Sequence, residues 1–375
     1  MLGGESYKPK PYFQGGWAKY RKINSFRIIR QGTLKFSAML YEYVNARVSS
    51  RSSKLLPLNI FNELLSYKSL KNLIDYLKGT WYNEYISRMK NENLDSFLDV
   101  LKEAFSDEIE KVVRFSGKEI GRILKAYLSR WDLYNILTII RGKFSKFKNE
   151  EILEGIMPFG TITKLEINEL LNVNEAYEVL DKLASMGIKL PFEINTQLNK
   201  LLREGDLRSA EFYLYKEFYR KVLLSLSDME GIEPLKKIIG FHIDLRNIIS
   251  ILLLLSEGVK IPKIEFIGGG NLKREDLEKL ANSENYEEAL NFLKGTIYGE
   301  IIKDEKDLVK IERKIESYIY KYTYHLKNSN FLDIGPILSY VSRLEVEIMN
   351  LRIIAISIER EIPRDETENY LIWLV

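Results

Sequence analysis

The chain has 375 residues, length for two to four domains, and 45% of them are hydrophobic, a globular composition far from that of a disordered segment. Its 56 basic and 53 acidic residues leave a net charge of only +3, without the basic excess or basic block of a dedicated nucleic-acid binder. The absence of cysteine excludes a disulfide framework, a thiolate metal site and a cysteine nucleophile.

Residues 1–35 read as an N-terminal extension, polar and aromatic at its start and without the apolar core of a signal peptide. From there apolar residues recur at spacings of three and four, while period-two alternation is hard to find, so the chain is predicted to be all-α. A first helix over 34–54 stops before Pro57, because a proline disfavours helical geometry in the residue before it. Shorter helices are predicted near 58–66, 69–78 and 82–91, then two long ones at 94–114 and 117–142, with Gly142 as a C-terminal cap. Short helices at 164–171 and 174–186 precede long ones at 207–226 and 232–257, the latter ending at Gly258. The same order returns with short helices at 273–281 and 284–294 and long ones at 299–327 and 336–361. The longest apolar run, Ile248 to Leu255, falls far short of the roughly 18 to 20 residues of a membrane span.

The order returns because the sequence repeats. An acid and an asparagine three residues apart occur at Asp132/Asn135, Asp244/Asn247 and Glu347/Asn350, with the asparagines 112 and 103 residues apart. Leu77-Lys-Gly-Thr-Trp-Tyr82 and Leu293-Lys-Gly-Thr-Ile-Tyr298 match at five of six positions. Gly160 to Tyr177 and Gly269 to Tyr286 each span 17 residues. A period near 110 exceeds the 20 to 50 residues of solenoid repeats and predicts three similar helical-bundle domains, at 36–150, 151–260 and 261–375.

Each pair sits at or beside an apolar stripe, as in Leu124, Leu128, Trp131, Asn135 and Ile139, so its polar groups need buried partners. The structural reading has each pair clamp its long helix against the short helices of the same unit. The alternative is an enzyme in which Asp132, Asp244 and Glu347 converge on a metal. Carboxylates spaced a domain apart make the structural reading the stronger. The Glu-x-x-His pattern of a di-metal bundle is absent before His242 and His325, and two histidines offer no Ser/His/Asp grouping. Gly268-Gly269-Gly270-Asn271 precedes a helix as a phosphate loop would, but position 273 is Lys and no Gly-Lys-Ser/Thr follows, so Asn271 is read as capping the next helix. A nucleic-acid-binding helical scaffold using Lys, Arg and Tyr remains a further alternative, against which the balanced charge argues.

Asp132-Leu-Tyr-Asn135-Ile-Leu-Thr-Ile-Ile-Arg141-Gly142, Asp244-Leu-Arg-Asn247-Ile and Glu347-Ile-Met-Asn350-Leu-Arg352, with Tyr43-Val-Asn-Ala-Arg47-Val48 and Leu77 to Tyr82, resemble the C subunit of archaeal-type ATP synthases, the counterpart of the d subunit of vacuolar ATPases. The resemblance covers roughly residues 36 to 375. It implies a pseudo-threefold funnel of three domains, peripheral on the cytoplasmic face of the cell membrane. The funnel would stand on the rotor ring of proteolipid subunits and receive the central stalk, the D and F subunits, in its wide mouth. Such a subunit transmits torque. It binds no nucleotide, nucleic acid, metal or cofactor and has no catalytic residue, which leaves the six acid and asparagine residues a structural role.

Overall fold

The computed structural model describes residues 40–187, 196–259 and 265–375. The predicted extension 1–35, the start of the first helix and the prolines at 191 and 262 lie outside them. The protein is all-α, with no strand among the described residues. A helix over 40–52 (α1) is followed by short helices Phe61–Leu64 (α2), Leu70–Leu77 (α3) and Asn83–Ile86 (α4) and the long Leu94–Phe144 (α5). Asn149–Gly155 (α6), Lys164–Leu171 (α7), Ala176–Ser185 (α8) and Thr196–Arg203 (α9) lead into Leu207–Ser225 (α10) and Glu233–Ser256 (α11). Arg274–Ala281 (α12), Tyr286–Lys294 (α13) and Gly299–Ile302 (α14) lead into Leu308–His325 (α15), Gly335–Glu359 (α16) and Arg364–Glu368 (α17).

The predicted break between two long helices near 115 is a reversal at one residue. Gly117 has φ 76° and ψ −179°, a conformation open essentially to glycine alone. In a straight helix Phe105 and Trp131 would stand about 39 Å apart at 1.5 Å per residue. Instead both rings pack on Phe159, with centroids 4.6 and 4.8 Å from it. The two halves of α5 therefore fold back on each other, as α10 does on α11 and α15 on α16 through the turns at 226–232 and 326–334. α1 ties these turns together. Tyr41 donates to Glu230 O at 3.0 Å, Asn45 to Phe331 O at 2.7 Å and Asp333 O at 3.0 Å, and Ile334 N to Gly231 O at 3.0 Å.

The core centres on α16, in which 20 of 25 residues are buried, so no side of the helix is left to solvent. It packs against α3, α5, α11 and α15. Each fully buried Leu or Ile along it contributes roughly 1.5–3 kcal/mol. α11 is long and apolar enough, by length and composition alone, to cross a membrane. Its contacts with α10, α12, α13 and α15 bury much of it inside the protein.

Three local expectations are corrected. The predicted helix 299–327 is interrupted after Ile302, where Lys303 takes φ 52° and Asp307 restarts the helix by accepting from Lys310 N at 2.9 Å. Gly142 does not end α5, which runs on to Phe144 and closes through Lys146 at φ 58°. Gly142 is small because Ile152 of α6 lies where its Cβ would be. Asn271 does not cap α12, whose N-cap is Lys273; its amide donates instead to Lys237 O at 3.0 Å. Gly258, by contrast, is the left-handed residue after α11, at φ 68°, with Val259 N bonded to Leu254 O at 3.0 Å.

Candidate functional site

The six acid and asparagine residues are all buried, and each pair holds a segment of irregular backbone. Asn135 brackets Met157, accepting from its N–H at 2.8 Å and donating to its carbonyl at 3.1 Å. One turn earlier, Asp132 accepts from Thr161 N at 2.6 Å, Ile162 N at 3.0 Å and the Thr161 hydroxyl at 2.9 Å. The next residue, Thr163, then caps α7, so the clasped loop enters its helix in a set direction. Asn247 brackets Ile267 in the same way, with both bonds at 2.9 Å. Asp244 accepts from Asn271 N at 2.9 Å and Leu272 N at 3.0 Å. Gly160 and Gly270 are the close approaches: a Cβ at either would overlap the Oδ1 of Asp132 or Asp244. In the glycine run, Gly270 thus serves backbone proximity to a carboxylate.

The third pair closes on the opposite end of the chain. Asn350 brackets Ile372 with two bonds of 3.0 Å. Glu347 reaches back 291 residues to Leu56 N at 2.7 Å and takes bonds of 3.0 Å from Trp81 Nε1 and the Tyr82 hydroxyl. Arg343, one turn before it on the same face of α16, donates to Leu56 O at 3.0 Å. These partners differ from the expected ones. Under the boundaries 36–150, 151–260 and 261–375, each acid clasps backbone of the following unit, and the third clasps the first, rather than the short helices of its own unit.

The second sequence echo explains itself at the same sites. Thr80 and Thr296 each donate to the carbonyl three residues back at 2.7 Å and accept from the tyrosine N–H two residues on. That turn ends α3 and α13 and aims Tyr82 at Glu347 and Tyr298 at Asp244, the latter at 2.8 Å. The sequence showed the echo but not that its tyrosines serve the acids of other segments. At Asp132 the Thr161 hydroxyl fills the tyrosine's place.

The clasps set the electrostatics. Burial pushes the Glu347 carboxyl up from 4.5 to about 7, against its three donors, and the Asp244 carboxyl up from 3.8 to about 6. Burial also raises Asp132, only partly offset by its backbone bonds. The three carboxylates have separate donor sets, and among the described residues no group of three His, Asp or Glu side chains could hold a metal. The structure gives the three carboxylates of the metal-triad alternative separate partners rather than one shared centre.

On a helix, positions two before and two after the acid face away from the clasp. At those positions Arg130 and Tyr134, His242 and Arg246, and Met349 line one cavity of about 520 Å³ between α5, α10, α11, α15 and α16. Glu345, two before Glu347, is fully buried and accepts from Arg130 at 2.6 Å and Trp131 Nε1 at 2.7 Å. His242 is held neutral by burial and by Arg130 and Arg246 beside it. His325 is exposed. Sequence reasoning missed this face because its residue types differ from one helix to the next.

A protein-family model described as ATP synthase (C/AC39) subunit matches residues 44–370. The chain belongs to this family. It is 30% identical over 329 residues to the A-type ATP synthase C subunit of Pyrococcus horikoshii, covering 85% of this chain and 86% of that protein. The corresponding protein of Desulfurococcus sp. is also 30% identical over 329 residues, with 85% and 87% covered. That of Methanocaldococcus jannaschii is 26% identical over 349 residues, with 89% and 86% covered. As a member of this family the chain is a non-catalytic subunit of an ATP synthase, a peripheral part of a membrane-bound complex.

Proposed function

We propose that the chain is the adaptor between the proteolipid rotor ring and the central stalk, the D and F subunits, of a rotary ATP synthase. It turns with the ring on the cytoplasmic face of the cell membrane and passes torque between proton translocation and ATP synthesis or hydrolysis. In this reading the units 36–150, 151–260 and 261–375 stand as a pseudo-threefold funnel behind the extension 1–35. The observation that carries it is the chain of clasps: Asp132 to Thr161, Asp244 to Asn271 and Glu347 to Leu56 return to the start of the fold. A closed set of buried ties resists shear between units, which a part loaded by torque requires. Extraction of the complex from native membranes in mild detergent tests the proposal. Recovery of this chain with a proteolipid ring and stalk subunits supports it; recovery as a soluble monomer without them overturns it.

A further inference from the structure

Four arginines line the cavity, and three of them come one from each inner long helix: Arg130 on α5, Arg246 on α11 and Arg352 on α16. Two of these three are neutralised within the chain. Arg130 pairs with Glu345 at 2.6 Å, and Arg246 pairs with Glu312 at 2.8 Å and Glu316 at 3.6 Å. Arg352 is not. It is 9% exposed, and its guanidinium donates to the Glu154 backbone carbonyl and to Met157 Sδ, both neutral. Among the described residues no carboxylate oxygen lies within ion-pair distance of it. Burial pulls the guanidinium down from its ordinary value, offset only in part by Tyr134 and by the Glu154 carboxylate, which is paired with Arg360. A charge removed from water without a paired carboxylate is costly to the isolated chain, and the cost is recovered when a partner brings the opposite charge. Arg313 on the same cavity lies over the Tyr370 ring, 4.5 Å from its centroid, and also lacks a carboxylate partner among the described residues.

The cavity has the size of a helix end. One turn of helix, a cylinder about 10 Å wide and 5.4 Å high, occupies roughly 420 Å³, against about 520 Å³ available. Its aromatic walls, including Trp131, Tyr134 and Tyr320, match the side chains enriched in buried interface anchors. We propose that Arg352 anchors an aspartate or glutamate carried on a helix end of the central stalk that enters this cavity. The inference rests on the proposed reading of the chain as the adaptor that holds the central stalk.

The test compares Arg352→Gln with the wild-type full chain, because glutamine keeps a donor for the Glu154 carbonyl and loses the charge. Affinity for the purified central-stalk subcomplex is measured at several salt concentrations, alongside the melting temperature of the chain alone. The expected result is a tenfold or greater loss of affinity, a shallower salt dependence, and a melting temperature that is unchanged or higher. Equal stalk affinity for variant and wild type overturns the role of Arg352. Failure of the wild-type chain to bind the stalk at all overturns the adaptor reading and the inference with it. Binding of inorganic pyrophosphate that needs Arg352, with stalk affinity independent of it, replaces the proposal with a small-anion site.

Discussion

Replacing Glu347 by Gln should remove a pH dependence from the folding of this chain. The carboxyl is 3% exposed and takes three bonds, from Leu56 N, Trp81 and Tyr82, yet burial raises it from 4.5 to about 7. Below the unfolded value the group is protonated in both states, and its contribution to stability is fully present. As pH rises from 4.5 to 7 the unfolded chain releases the proton while the folded chain keeps it, so stability falls; above 7 the loss is complete. A shift of this size corresponds to roughly 3 kcal/mol in total, at about 1.4 kcal/mol per unit. The amide keeps an acceptor for two of the donors and presents its NH2 to the third, a fixed cost that does not vary with pH. Urea unfolding of both proteins between pH 4 and 8 therefore yields a difference in stability that changes by about 3 kcal/mol across the window. An identical pH profile for the two proteins would falsify the claim that this carboxyl is buried in the clasp. Asp244, raised to about 6, acts in the same direction over a lower window and is retained in the variant.

Gly117→Ala should lower the unfolding free energy measured in urea by about 1–3 kcal/mol, from backbone conformation alone, since nothing lies within 4 Å of the added Cβ. Gly270→Ala should destabilise because its Cβ overlaps Asp244 Oδ1, and a double-mutant cycle with Asp244→Ala should show a coupling of at least about 1 kcal/mol. Additive effects would refute the close approach. Asn247→Ala leaves both backbone groups of Ile267 without partners and should cost about 2–4 kcal/mol. Exposed Lys279→Ala, by the same thermal or urea assay, should stay within about 0.5 kcal/mol. Tyr298→Phe removes a 2.8 Å donor from Asp244 and should cost about 1 kcal/mol, more at pH 8 than at pH 4 because the lost bond favours the ionised carboxylate.

Helical character and the burial of Asn135, Asn247 and Asn350 were legible because helix phase depends on spacings of three and four, which the chain carries locally. The limits of that logic lie where local and distant demands compete. Gly142 satisfied every local rule for a helix stop, and the helix runs through it because Ile152 needs the space. Asn271 had the right residue type for a cap, but its backbone N–H is held by Asp244 and its amide by Lys237, so the helix starts elsewhere. The cavity face was illegible for a different reason. Arg130, His242 and Glu345 occupy equivalent helical positions without sharing a chemistry, so repetition could not expose them.

By itself, the amino-acid order determined the all-α class, the repeating order of short and long helices, the three acid/asparagine pairs and the paired Gly-Thr-x-Tyr turns. All of these follow from dihedral preferences and side-chain spacing within a few turns of chain. Only the tertiary structure decided which backbone each pair holds, that Glu347 closes on Leu56, Trp81 and Tyr82, and that the buried Arg352 guanidinium donates to neutral acceptors while Arg130 and Arg246 are ion-paired. Those outcomes depend on which segments meet after the chain has folded back at Gly117 and at the turns after α10 and α15. Donor, acceptor and charge pairing between segments hundreds of residues apart is set by packing geometry, which no local spacing encodes.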